Sequence, residues 1–319
     1  MSAFLKIRVR LYGLLTAAGA VVFLSTLLGF GGQFWWVLDL FSHFRVQYLI
    51  SISVILSLLL IGRRFRTAAV LGLCLAGNLA CVLPYYVTGR HDAPAASTVL
   101  RAISLNVNTA NQNYDLVKEL VRTGDPDIIL LTEVDSAWVA ALADVQAAYP
   151  FQEIEPRPDN FGIALYSRLP CVECKIIYLG EAGLPSVTAE LVVGTRKLTV
   201  LGTHALPPIN DSYSRLRNNQ IEAVAVYAAS IQGPKVLLGD LNTSPWSYWF
   251  RKLLKESALT DGAMGTGIRA TWPTDSILLR IPIDFCLVSP EVIVKDLRIG
   301  PNVGSDHFPV IADLALVER

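Results

Sequence analysis

An α/β domain of layered β-sheets flanked by helices, carried behind a three-helix membrane anchor, is the fold class this sequence predicts. Three observations predict it. Residues 1–89 contain three long apolar runs and almost no acid. From residue 98 onward, β-branched runs alternate with amphipathic helical runs, the pattern of a layered α/β domain. Many of those runs also end or open on Asn, Glu, Asp or His, at the strand ends where such domains place chemistry.

The net charge is zero over 319 residues, but the two parts differ. Residues 1–89 hold seven Lys/Arg and one acid, Asp39, whereas residues 90–319 hold twenty Lys/Arg and twenty-six Asp/Glu. The second part is therefore acidic and is a poor passive binder of nucleic acid, because counterion release requires Lys and Arg. A domain of this charge that handles phosphate esters calls for a bound cation.

The anchor is expected over residues 1–89, with spans at about 11–30, 46–62 and 67–87. About 20 apolar residues cross a bilayer core, and the lone Asn78 is tolerable inside a helix bundle. A cleaved signal peptide is disfavoured, because the first run exceeds the usual core of about 7–15 residues and two more spans follow. Lys6, Arg8 and Arg10 precede the first span, and Arg63, Arg64 and Arg66 lie between the second and third. The 31–45 loop holds only Arg45. The positive-inside rule then places the N-terminus and the 63–66 loop in the cytoplasm. Phe34, Trp35 and Trp36 suit the outer interfacial belt. In a bacterium-like cell the expected location is the inner (plasma) membrane, multi-pass, with the second domain on the periplasmic, extracytoplasmic side. The expected partner of residues 11–87 is the lipid bilayer, and no obligate protein partner is inferred.

Residues 90–97 read as a linker and residues 98–319 as the second, layered α/β domain. Strands are expected at 98–107, 126–134, 161–167, 172–179, 186–193, 197–203, 234–239, 283–289 and 307–314. Helices are expected at 114–124, 136–147, 214–231 and 246–257. Cys171 and Cys174 form a solitary CxxC without the second ligand pair of a zinc site. In a regular strand, positions three apart face opposite sides, which argues against a local disulfide. Trp246 and Trp249 read as packing aromatics and Arg168 as structural. Trp272 is a rim candidate, and Arg215 and Arg217 fit either a solvated face or a phosphate contact.

The polar strand ends are Asn106 with Asn108, Glu133, His204, Asp240 with Asn242, Asp284, and Asp306 with His307. Asp306 and His307 are adjacent, so they belong in the turn ahead of the last strand, and Gly304 permits that turn by tolerating positive φ. The segments "SLNVN", "LLTEV", "GTHALPP", "LGDLNTSPWS", "IPIDF" and "GSDHFPV" together resemble the endonuclease/exonuclease/phosphatase superfamily, over roughly 98–317. "FGIALYSRLP", "TWP" and "GDLNTSPWS" look most like its bacterial membrane-anchored members. Two positions depart from common family patterns: Thr132 stands where many members have Gln, and Phe285 where many have His. The extra basic loops of nucleases that prefer duplex DNA are not visible.

The resemblance implies a deoxyribonuclease I-like fold and a phosphoesterase. Asn106, Glu133 and Asp306 are the implied metal ligands, for Mg2+ or Mn2+. Asp240 would orient or deprotonate water, and Asn242 would donate to a phosphoryl oxygen. His307, held by Asp284, would act as base or phosphate contact, and His204 would contact phosphate or assist the leaving group. The expected activity is metal-dependent hydrolysis of an extracytoplasmic phosphodiester carried by a lipid headgroup, nucleic acid or small molecule. The alternatives are a phosphomonoesterase acting on a lipid or small molecule, and a catalytically inactive membrane-anchored binding protein.

Overall fold

The computed structural model describes residues 3–89 and 98–317; the expected linker at 90–97 lies outside the described residues. Three helices are long and apolar enough to cross a membrane, with spans Arg10–Leu28, Trp36–Ile61 and Phe65–Val82. They belong to α1 (Ala3–Leu28), to α2 (Trp36–Leu40) continuing through a 3-10 turn into α3 (Arg45–Ile61), and to α4 (Phe65–Val82). Pro84 ends the third span and opens the short α5 (Pro84–Val87). Ile52, Ile55, Leu59, Ala68 and Leu71 pack the bundle.

Thr26, Arg45 and Asn78 are buried inside it, whereas the outward-facing Thr16, Ser53 and Ser57 bond their hydroxyls to carbonyls of their own helix. Arg45 does not lie in an exposed loop. It starts α3, is buried, and donates to the Thr26 carbonyl at 2.9 Å and the Asn78 side-chain oxygen at 3.5 Å. The Phe30 ring lies 4.0 Å beneath its guanidinium. Asn78 in turn donates to Thr26 Oγ1 at 3.0 Å.

The second part is a sandwich of two six-stranded mixed sheets flanked by helices. The strands are β1 (Val99–Asn106), β2 (Ile128–Thr132), β3 (Phe151–Glu155), β4 (Ile163–Ser167), β5 (Cys171–Tyr178), β6 (Pro185–Val193), β7 (Arg196–His204), β8 (Lys235–Asp240), β9 (Thr260–Asp261), β10 (Asp284–Val288), β11 (Val292–Ile299) and β12 (Val310–Leu316). One sheet has the order β11-β12-β1-β2-β4-β3 and the other β5-β6-β7-β8-β10-β9. The pairs β1/β2 and β7/β8 are parallel. Alternate residues of both sheets, among them Leu100, Leu130, Val200, Leu238 and Cys286, meet in the inter-sheet core. The opposite faces are covered by α6 (Tyr114–Gly124), α7 (Ser136–Ala141) and α8 (Ala143–Gln146) on one side. On the other lie α9 (Asp211–Ser230) and α10 (Tyr248–Ser257).

Three strands escaped the sequence pattern for identifiable reasons. A bulge between Val294 and Asp296 breaks the period-two rhythm of β11. β3 is an edge strand of largely half-buried residues, and β9 is two residues long. The single helix expected at 136–147 is interrupted at Leu142, and α9 begins three residues early because Asn210 caps it by accepting from the Tyr213 N–H at 2.9 Å. The CxxC expectation is corrected outright. Cys171 and Cys174 form a disulfide with Cα atoms 6.2 Å apart. A bulge between Cys171 and Glu173 breaks the strict alternation on which the contrary expectation relied.

The anchor and the sandwich share a polar interface. Asp39, the one acid of the first 89 residues, is buried; it accepts from Arg217 Nη2 at 2.9 Å and from Ser247 Oγ at 2.8 Å. Arg217 is therefore neither a solvated nor a phosphate-binding residue, while Arg215 is exposed. His43 Nδ1 meets Ser244 Oγ at 2.8 Å, Trp246 Nε1 donates to the Cys81 carbonyl at 3.0 Å, and the Tyr85 hydroxyl donates to Asp261 at 3.0 Å. Removing one member of a buried ion pair leaves the other charge uncompensated, at a cost of about 3–5 kcal/mol. In detergent micelles, Asp39→Ala should therefore lower the apparent melting temperature of the full chain. Arg217→Met combined with Asp39→Leu should restore most of the loss; additive losses in the double variant would contradict the pairing.

Candidate active site

Strand register brings the polar strand ends together. In one sheet Asn106 of β1 pairs with Thr132 of β2, so Glu133 lies one residue beyond the strand. In the other, Asp240 of β8 is flanked by His204 of β7 on one side and Asp284 of β10 on the other. Both rows occupy the same edge of the sandwich, and neighbouring strands lie about 4.8 Å apart, so these side chains meet without long loops. Gly239 lets β7 and β8 close there. Its φ is +134°, and a Cβ would lie 1.9 Å from the Thr203 carbonyl oxygen.

The Asn106 amide joins the two rows. It donates to Glu133 Oε1 at 2.8 Å and Asp240 Oδ2 at 3.3 Å, and it lies 3.5 Å from His307 Nε2. Its oxygen accepts from the Asn108 N–H at 3.0 Å, so the amide nitrogen is the end that faces the carboxylates. Glu133 and Asn242 adopt positive φ, +61° and +46°, a strained backbone often retained where function requires it. Asn242 donates its N–H to Asp240 Oδ1 at 2.8 Å and its side-chain amide to the Ala205 carbonyl at 2.8 Å.

Asp306 and His307 do lie in the turn ahead of β12, and Gly304 has φ +86° with Asn113 and Asn111 packed where a Cβ would stand. Asp306 accepts from Asn108 Nδ2 at 2.7 Å and from Trp272 Nε1 at 3.0 Å. Trp272 and Asn108 thus brace Asp306; from the sequence Trp272 is a rim candidate and Asn108 one of the polar strand-end residues. Ser305 was not singled out. Its hydroxyl donates to the Asn106 carbonyl at 2.7 Å and accepts from the His307 N–H at 3.0 Å, fixing the turn to β1. A serine preceding Asp-His is the only sequence trace of that role.

The electrostatics separate the two histidines. His307 Nδ1 lies 2.9 Å from Asp284 Oδ2, and its Nε2 lies 3.7 Å from Asp240 Oδ2. Burial, the largest influence, works against its charge, but Asp284 and Asp240 outweigh it and lift the imidazole to about 10. His204 lies under the Phe161 ring at 5.2 Å, and burial, reinforced by His307, holds it down at about 3. Its Nδ1 has no hydrogen-bond partner, and its Nε2 lies 3.6 Å from Asp240 Oδ2. Burial, with Asp284 alongside, pushes the Asp240 carboxyl up to about 8, and burial also raises Glu133. The departure at Phe285 leaves the site intact: that ring faces the outer core, 4.4 Å from Phe250. Thr132 is buried beneath the site.

Four carboxylates, from Glu133, Asp240, Asp284 and Asp306, therefore gather near one imidazolium. This is a donor set suited to a divalent cation. Potential ligand atoms of Asp240, Asp284 and His307 lie within 4.8 Å of one another and could hold a metal ion.

The same architecture occurs in solved structures of low sequence identity. TDP2 from D. rerio, crystallised with a single-strand DNA product, superposes with a TM-score of 0.59 at 18% identity, over 68% of this chain and 99% of that one. An endonuclease/exonuclease/phosphatase from Bacteroides vulgatus gives 0.58 at 19% identity, over 69% and 99%. Beta toxin from Staphylococcus aureus gives 0.52 at 17%, over 67% and 99%. At these identities the likeness is one of fold. No curated protein matches the chain by sequence. The sequence pattern of the Endonuclease/Exonuclease/phosphatase family matches residues 103–307, from β1 to the histidine of the last turn. The chain belongs to the endonuclease/exonuclease/phosphatase family.

Proposed function

We propose that the protein is a membrane-anchored, divalent-metal-dependent phosphoesterase that hydrolyses an extracytoplasmic phosphodiester. The observation that carries this reading is the reach of one amide, Asn106 Nδ2, to Glu133, Asp240 and His307 at 2.8, 3.3 and 3.5 Å. Binding alone gives no reason to crowd carboxylates against an imidazole at a strand edge.

The residues fit the implied metal. Glu133 and Asp306 are half-buried oxygen donors; Asn106 presents its amide nitrogen to Glu133, so in this arrangement it orients the carboxylate and does not supply the oxygen ligand that the resemblance implies. Oxygen-rich surroundings suit Mg2+, and Mn2+ fits the same ligands. We favour this group over the Asp240, Asp284 and His307 set, because His307 Nδ1 is already engaged with Asp284 at 2.9 Å. A bound divalent ion would neutralise phosphate charge and so lower its repulsion of an incoming water.

The remaining side chains divide the work. His307, held cationic by Asp284, contacts a phosphoryl oxygen. Asp240, raised by burial to about 8, takes a proton from water in its ionised form, whose share grows as the pH rises toward that value. Its carboxylate is oriented by the Asn242 N–H and the Asn106 amide. Asn242 gives one amide hydrogen to the Ala205 carbonyl and offers the other to the charge that grows on phosphoryl oxygen. His204, kept neutral by burial, serves as a hydrogen-bonding partner to the phosphate or the leaving group and not as a cation. The Cys171–Cys174 disulfide fits an oxidising compartment and so supports the outward orientation.

The full chain in detergent micelles should release p-nitrophenol from bis-p-nitrophenyl phosphate with Mg2+ or Mn2+ and stop when a chelator is added. Asp240→Asn and His307→Ala should each lower kcat by about 10²–10⁴-fold, the usual worth of acid–base assistance. Turnover that persists in chelator would remove the metal from the reading. A folded, inactive chain would leave a binding protein. For topology, an alkaline phosphatase fused after residue 95 should be active in cells; a fluorescent cytoplasmic reporter at the same point would reverse the orientation.

A further inference from the structure

Between the bracing Trp272 and the strand-opening Asp284 runs "PTDSILLRIPI", whose tip is the most exposed apolar run of the catalytic domain. Ile277, Leu278 and Leu279 are 80%, 77% and 57% exposed. Three consecutive aliphatic side chains in water are unfavourable, and such a patch marks an interaction surface. Its position identifies what covers it. The carbonyl of Arg280, the next residue, accepts from Gln47 Nε2 at 3.0 Å. Gln47 is in the first turn of α3, whose outward-facing Ile50, Val54 and Ile61 are themselves 59%, 56% and 75% exposed on a membrane-spanning helix. The tip therefore stands beside the first turn of α3, just past the part of the span that packs on the sandwich through Asp39 and His43. On the 31–45 connection, Phe34 and Trp35 are 79% and 55% exposed, as aromatics at the interface are.

The tip is also tied to the site. The Arg280 guanidinium donates to the Pro273 carbonyl at 2.9 Å and the Thr274 carbonyl at 2.7 Å, and it stacks 4.7 Å over the Phe308 ring. The Thr274 N–H donates to the Asp306 carbonyl at 2.9 Å, and Trp272 holds the Asp306 carboxylate. Four residues lie between Trp272 and Ile277, so the five steps of chain span at most about 18 Å. One braced strut thus runs from the carboxylate cluster to the first turn of α3.

We propose that Ile277, Leu278 and Leu279 insert into the outer part of the bilayer as a lip of the active site, and that the substrate phosphodiester is carried by a membrane lipid. The substrate half of this inference rests on the phosphoesterase reading; the insertion half does not. The lip holds the site at headgroup depth, so a lipid reaches it by lateral diffusion while its acyl chains stay in the membrane. Water then cleaves one P–O ester bond. Its hydroxyl goes to phosphorus and its proton, by way of the base, to the departing alkoxide.

Two measurements on the full chain in phosphatidylglycerol–phosphatidylcholine vesicles test the two halves. In Leu278→Trp, the emission added over the parent chain should shift to the blue and be quenched by brominated phospholipid. Quenching by aqueous iodide alone, or a shift without bromolipid quenching as contact with another protein would give, overturns insertion. Replacement of Ile277, Leu278 and Leu279 by serine should slow loss of vesicle phosphodiester, followed by phosphorus NMR, by about tenfold or more, as lost apolar anchoring would. Hydrolysis of water-soluble bis-p-nitrophenyl phosphate should stay within about twofold. Equal loss on both substrates, or none on either, overturns the lip. A parent chain that hydrolyses the soluble ester but no vesicle lipid overturns the lipid substrate alone. A parent chain inactive on both defeats the phosphoesterase reading, while the tryptophan result still decides insertion.

Discussion

The charge balance at the strand ends turns on His307. Without an imidazolium between them, Asp284 and Asp240 would face each other across adjacent, directly paired strands with no compensating cation in contact. Like charges at that spacing in a buried setting push one carboxyl toward its neutral form. With His307 charged, the cluster still carries more carboxylate than cation, since Glu133 and Asp306 lie on the other side of Asn106 and Asn108. The resting site is therefore short of positive charge. This is why a divalent ion belongs in the proposed mechanism, and why the deficit is greatest on the Glu133 side, away from the imidazole's bond to Asp284.

The second constraint is Arg217. It lies in the helix after β7, wholly buried, and joins the anchor to the site: Nη2 binds Asp39, while Nη1 donates to the Asn242 carbonyl at 3.0 Å. Asn242 is the strained residue that orients Asp240. A chain lacking residues 1–89 would leave a buried guanidinium without its carboxylate and would loosen the loop carrying Asn242. The three-helix segment therefore contributes to the folding of the domain, and activity measurements belong on the intact chain.

Much of this was legible in the sequence, for a physical reason. Strand ends are set by short-range patterning, so the polar residues closing apolar runs were identifiable as neighbours at one sheet edge. Gly304 could be assigned to a turn because few other residues adopt its φ. What was not legible depends on contacts distant in sequence. Nothing local distinguishes Asp39 from any loop acid, nor Arg217 from a solvated helix residue; their pairing spans 178 positions. The same holds for Trp272, whose bond to Asp306 spans 34. The disulfide was misjudged because period-two alternation was applied to a strand that carries a bulge.

The contacts between the three-helix segment and the sandwich bear on one question: how the domain is oriented relative to the apolar helices. A single flexible tether would leave the strand edge free to face any direction. Here the connection between the first two spans is locked to α9 and to the loop after β8 through Asp39, Arg217, Ser247, His43 and Ser244. The end of the third span is locked to Trp246 and Asp261 through Cys81 and Tyr85. Two attachments on separate helices remove the rotational freedom that one would leave. Both lie next to the segments that carry Asp240, Asn242 and Asp284, so the strand edge is held in a fixed attitude to the spans. Orientation of that kind has little use for a substrate arriving from bulk water in all directions. It has a use when the substrate is itself confined to the plane that the spans define.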